Sequence, residues 1–156
     1  MSDAIRKILV PIDGSEGSIK AARFAGILAR AAGATVTLLF VHDTDMYVLS
    51  GVGETAWVTS LEYDEIRTRM GEQLRETVVE PAFARATEAL GALPTAPGSV
   101  VVWGHPAETI CERATQDDFD LIVLGSRGRS AFTELILGSV SSQVLHHASR
   151  PVTIVR

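Results

Sequence analysis

The stretch best equipped for chemistry is Gly125-Ser126-Arg127-Gly128-Arg129-Ser130, followed by Gly138-Ser139-Val140-Ser141. As a spacing it reads Gly125, two residues, Gly128, nine residues, then Gly138-Ser139 at the start of a predicted helix. Glycines let a backbone come close to a polyphosphate, and a helix N-terminus offers unpaired amides at the positive end of its dipole. Ser139 and Ser141 add hydroxyl donors, while Arg127 and Arg129 add positive charge to a chain whose net charge is −5. Lysine occurs only at Lys7 and Lys20, against twelve arginines, so a phosphate site here must rely on amides and arginine. A second stretch, Val10-Pro11-Ile12-Asp13-Gly14-Ser15, places a carboxylate where an apolar run ends. Asp13 and Glu16 also form a D-x-x-E pattern, so the alternative reading of Asp13 is a helix N-cap, a role compatible with a site role because capping uses one carboxylate oxygen.

These residues need elements to position them. Five short apolar, β-branched runs read as strands: Lys7–Ile12, Thr35–Val41, Ser99–Trp103, Asp120–Leu124 and Pro151–Val155. Their centres are continuous rather than alternating, as in parallel strands covered on both faces. Helical segments lie between them, at Ser15–Ala32, Ser60–Leu90, Pro106–Gln116 and Ser139–Ala148. Gly33 stops the first. Pro106 suits the opening position of the third, and Pro81 is expected to kink or divide the second. Strands alternating with helices of ten or more residues predict right-handed crossovers, hence one α/β domain built on a doubly wound five-stranded parallel sheet with helices on both faces. The expected strand order is 3-2-1-4-5. Ligands of such sheets sit outside the carboxyl ends of the strands where the order reverses. If strands one and four are neighbours, both chemistry-bearing loops open into one crevice. Asp43–Thr59 is a long irregular connection of the kind that forms lids or excursions.

Composition narrows the function classes. With 46% hydrophobic and 21% charged residues, the chain is an ordinary globular protein with material for a full core. The single cysteine, Cys111, has no disulfide partner and reads as a packing residue in a reducing compartment. The first residues pass from a short charged segment into Ile8-Leu9-Val10 without the apolar stretch of a secretory signal, and no run is long enough to span a bilayer. A cytoplasmic protein is expected. No block of like charge favours nucleic acid or a membrane surface as partner.

Other motifs carry less. Gly51-Val52-Gly53-Glu54-Thr55-Ala56 matches a dinucleotide fingerprint, but lacks the strand before it and the helix after it. His42, His105, His146 and His147 are not spaced as metal ligands on one helical face. Ser15 and Ser126 lack the context of an activated nucleophile.

With both loops in view, the chain resembles the universal stress protein family, whose ATP-binding members carry G-x2-G-x9-G-[S/T] after the fourth strand. Gly125, Gly128, Gly138 and Ser139 match at full spacing. The likeness extends to Val10-Pro11-Ile12-Asp13-Gly14-Ser15 and to Gly104-His105-Pro106-Ala107-Glu108-Thr109-Ile110. The resemblance implies a regulatory ATP-binding module of the stress response, with an adenine nucleotide as ligand. Asp13 and Val41 would line its adenosine part, with main-chain groups of Val41 toward adenine, and Pro11 and Arg127 also count among the nucleotide-binding residues. Gly125 and Gly128 would follow ribose and phosphate, and Gly138, Ser139, Val140 and Ser141 would hold the phosphates, bridged by Mg²⁺ or Mn²⁺. It also implies a homodimer joined through the C-terminal strand, whose Val152, Ile154 and Val155 carry no device against edge pairing. Two rivals are a nucleotide-free interaction protein of the same fold and a slow ATP-hydrolysing or adenylyl-transferring enzyme. The intact glycine motif argues against the first, and the lack of a nucleophile and base pair argues against fast catalysis.

Overall fold

The computed structural model describes residues 4–44, 68–128 and 137–156. Their order is β1 (Lys7–Pro11), α1 (Glu16–Ala32), β2 (Thr35–Asp43), a helical stretch ending in α2 (Glu80–Leu90), β3 (Gly98–Gly104), α3 (Pro106–Gln116), β4 (Leu121–Gly125), α4 (Ser139–His147) and β5 (Val152–Val155). The five strands form one parallel sheet in the order β3-β2-β1-β4-β5, as expected. The fingerprint-like Gly51–Ala56 and residues 45–59 of the long connection lie outside the described residues, as does the first part of the Ser60–Leu90 helix.

Period-two alternation splits the strand side chains between two cores. Ile8, Val10, Val36, Leu38, Phe40, Leu121 and Val123 face α1 and α2, which contribute Ala21, Ala22, Ala25, Ala29, Ala82, Ala86 and Leu90. Leu9, Leu39, Ile122 and Leu124 face the other way, onto Ile110 and Ala114 of α3 and Val144 of α4. The continuous apolar runs follow from this: a strand buried on both faces has no polar position to alternate with. Each such side chain contributes about 1.5–3 kcal/mol when fully buried.

Helix termini follow local chemistry. Ser15 caps α1, its Oγ accepting from the Ser18 amide at 3.3 Å, and the Asp13 carboxylate accepts from the Ser15 amide at 2.9 Å. The N-cap is therefore Ser15 rather than Asp13: the carboxylate closes the turn one step ahead of the helix. Gly33, left-handed at φ +67°, ends α1 as expected. At Pro81 the helix is divided by a π turn, Arg75–Val79, in which the Glu80 amide reaches back to the Arg75 carbonyl. The wider turn accommodates a proline ring that lacks an amide and would otherwise clash with the preceding turn.

The amino ends of β1 and β4 are tied by one carboxylate. Asp120 Oδ2 accepts from the amides of Arg6 and Lys7 at 2.8 and 2.9 Å, and the Asp120 amide donates to the Lys7 carbonyl. Those two amides hold the Asp120 carboxyl below the ordinary range. A depressed carboxyl stabilises the fold at neutral pH, and the contribution is lost as pH falls through the folded pKa. Asp120→Asn is therefore expected to unfold at lower urea concentration than the parent at pH 7, with the gap shrinking once pH falls below about 4, the usual carboxylate range. Equal midpoints at pH 7, or a gap that widens in acid, would contradict the assignment.

Candidate functional site

The strand order reverses between β1 and β4, so the loops that follow these strands face one another. The approach is close. A Cβ added to Gly128 would lie 2.8 Å from Asp13 Oδ2, which puts the carboxylate of the first loop against the backbone of the second. The second loop closes on itself, with the Gly138 amide donating to the Ser126 carbonyl at 2.8 Å. The amide of the buried Ser126 donates to the Val155 carbonyl at 2.7 Å, which joins the loop to β5.

The three motif glycines are glycines for different reasons. None of them has positive φ; among the described glycines Gly14, Gly33 and Gly91 do. Turn geometry therefore does not account for the motif. Gly125 is fixed by packing: a Cβ there would lie 2.5 Å from the Gly17 carbonyl carbon of α1. Gly128 is limited by the Asp13 carboxylate. Gly138 differs from both, with ordinary dihedrals (φ −63°, ψ 158°) and no atom nearer than 3.4 Å to an added Cβ. Among the described residues a Cβ at that position would meet only ordinary van der Waals contacts.

Gly138 is the N-cap of α4 and supplies no side-chain cap. The first-turn amides of Ser139, Val140 and Ser141 thus stand at the positive end of the helix dipole without a capping side chain. Ser141 is buried, and its hydroxyl donates to the Gly125 carbonyl at 2.8 Å. That proton is committed inside the loop, so Ser141 offers a ligand its amide. Arg127 is half-buried between the glycines, and no acceptor pairs with its guanidinium among the described residues.

Pro11 ends β1 opposite Leu39 of β2, and the Ile12 amide donates to the Leu39 carbonyl at 2.8 Å. Val41 lies two residues further along β2, on the face that also carries Val140 of α4. The structure thus brings Asp13, Gly128, Arg127 and Gly138 together and sets Pro11 and Val41 at neighbouring carboxyl strand ends. Arg129 and Ser130 lie outside the described residues. Among the described residues no group of three or more His, Cys, Asp or Glu side chains stands as a metal cluster.

Sequence reasoning missed two contributors. Gly17 faces Arg127 so closely that a Cβ there would lie 2.5 Å from its carbonyl oxygen. A glycine two residues into a helix, where alanine is the better helix former, was the available signal. The other is a cavity of about 390 Å³ lined by His42, Arg75, Val101 and Trp103 among others, and by none of the glycine-loop residues. His42 there stacks on Trp103 with ring centroids 4.4 Å apart, and burial holds its imidazole below the ordinary pKa.

Fold and crevice define a doubly wound α/β domain whose candidate site is built from backbone at the point of strand-order reversal. The chain belongs to the universal stress protein family, whose profile matches residues 4–156. Universal stress protein YxiE of Bacillus subtilis is 34% identical over 153 residues, covering 96% of this chain and 98% of that one. The solved universal stress protein UspA from Lactobacillus plantarum covers 99% of this chain and 100% of its own, with TM-score 0.76 at 24% identity, a likeness of fold. A universal stress protein solved in complex with cAMP is 27% identical, covers 99% of this chain and 98% of its own, and has TM-score 0.62.

The two kinds of glycine should separate on substitution. Gly125→Ala places a methyl against the α1 backbone and is expected to lower stability by about 1–3 kcal/mol. Gly138→Val is expected to unfold within about 1 kcal/mol of the parent, the usual range of a tolerated substitution. Thermal unfolding of both variants checks this, and a Gly138→Val protein at least as destabilised as Gly125→Ala would assign Gly138 to packing.

Proposed function

We propose that this chain is a regulatory ATP-binding module of the stress response, with Mg²⁺ or Mn²⁺ bridging the nucleotide phosphates. The observation that carries the reading is Gly138, a glycine that neither its dihedrals nor its described surroundings require, at the uncapped start of α4. A Cβ at Gly138 would stand at that uncapped start and face the backbone of Ser126, Arg127 and Gly128, and a helix N-terminus is where an anion binds. Asp13 beside Gly128 supports the ribose end of the same ligand, and the relative in complex with cAMP supports its adenine class. In this reading Pro11 and Val41 flank the adenosine, while Arg127 and the amides of Ser139, Val140 and Ser141 meet the phosphates.

Binding rather than turnover is the proposed activity. Asp13 is already engaged by the Ser15 amide, and Ser141 by the Gly125 carbonyl. Neither is poised as a nucleophile or base. We place the protein in the cytoplasm; no helix among the described residues is long and apolar enough to cross a membrane. We also propose a homodimer through β5, which lies at a sheet edge with its outer backbone groups unpaired within the sheet. Pairing with a second copy about a two-fold axis would satisfy them.

Calorimetry on nucleotide-free protein is expected to give heat with ATP and Mg²⁺, weaker binding with GTP, and loss of ATP binding in Gly128→Val and Gly138→Val with circular dichroism retained. No heat with ATP would overturn the nucleotide reading, and unaltered affinity in both variants would move the site elsewhere. Steady-state ATP turnover is expected far below the enzyme median of about 10 s⁻¹. Sedimentation velocity at micromolar concentration is expected to give twice 16.7 kDa. A monomeric parent would refute the dimer, and a dimer surviving Ile154→Lys would place its interface on another face.

A further inference from the structure

The turn that presents Asp13 is gripped from outside the crevice. Gly14 has φ +82°, a conformation that disfavours any residue with a Cβ, and its carbonyl accepts from Arg85 Nη1 at 2.9 Å. The second terminal nitrogen, Nη2, pairs with Glu16 at the first position of α1. One guanidinium therefore holds the residues on both sides of the Ser15 cap, and between them lies the amide that fixes Asp13.

Arg85 stands on a helix that is itself anchored. Near the far end of α2 the Leu90 carbonyl accepts from Arg30 at 2.6 Å and packs directly against the backbone of Gly26. Arg85 is five residues earlier, about 7 Å along the axis. The other end of α2 begins at the π turn before Pro81. The guanidinium thus arrives at Gly14 from a helix fixed to α1 at its Leu90 end.

Stability alone gives little reason for this arrangement. The Arg85 and Glu16 side chains are 48% and 79% exposed, and exposed ion pairs are worth little in water. Geometry gives a better one. A planar fork binding two acceptors at once fixes direction as well as distance.

We propose that Arg85 is a positioning residue for the Asp13 turn. It holds the carboxylate toward Gly128. The proposal rests on the nucleotide reading of the crevice only for its effect on affinity; its effect on the turn can be read without any ligand.

The test uses full-length protein carrying Arg85→Met, Arg85→Lys or, as a control, Arg30→Met, whose α1 side chain binds the Leu90 end of α2. Hydrogen exchange of the Ser15 amide is followed by NMR without nucleotide, and affinity for Mg²⁺–ATP is measured by calorimetry. Arg85→Met is expected to speed Ser15 exchange by about tenfold and to weaken ATP binding by about five- to tenfold, within the coupling range of contacting groups. Its urea midpoint should stay close to the parent's, and Arg85→Lys should recover part of both losses. Arg30→Met should lower the urea midpoint with Ser15 exchange unchanged, which a general loosening of α2 would not allow. Unchanged Ser15 exchange in Arg85→Met overturns the proposal. Faster exchange with unchanged ATP affinity overturns its link to the ligand. A parent that binds no ATP sinks the nucleotide reading, while Ser15 exchange still decides the role of Arg85.

Discussion

The site depends on a contact between two stretches of bare backbone. The first turn of α1 lies against the end of β4, where Gly17 meets the Arg127 carbonyl and Gly125 meets Gly17. A side chain on either glycine would force α1 away from the sheet, because the opposing atoms are backbone and cannot rotate aside. The loop after β1 and the loop after β4 close on one crevice only because that contact is this tight. Asp13 and Gly128 are neighbours as a result.

From that contact outward, the crevice is assembled almost wholly from main chain. The Gly125 carbonyl is held by Ser141, the Ser126 carbonyl by Gly138, and the Ser126 amide by Val155 of β5. Backbone groups presented in this way carry no titratable charge and lose no side-chain entropy on binding, which suits recognition of a polyanion by a protein of net charge −5. The same bonds connect the crevice to the sheet edge. Any dimer formed along β5 would rest on the strand that also fixes Ser126.

Much of the fold was legible because the signals were local. Continuous β-branched runs marked doubly covered strands, Gly33 and Pro106 marked helix boundaries, and Pro81 marked a division that the structure resolves as a π turn. The glycine spacing of the 125–139 loop pointed to the crevice, since spacing along a loop is itself a sequence property. Which glycine serves packing and which leaves space was not legible, because that depends on what lies opposite in the fold. Asp13 read as an N-cap because D-x-x-E is a helix-start pattern; the structure gives the cap to Ser15, whose hydroxyl is better placed by two residues. Arg85 carried no signal at all. Its partners Gly14 and Glu16 are 71 and 69 residues away in sequence, and only the packing of α2 on α1 brings them together.

The central claim is that main-chain amides at the β1–β4 reversal hold an adenine nucleotide, and an amide NMR titration of nucleotide-free protein with Mg²⁺–ATP tests it most directly. The largest saturable shifts are expected at Gly128, Ser139, Val140 and Ser141, with a second group at Val41. Shifts concentrated instead around His42 and Trp103, or no saturable shifts at all, would contradict it.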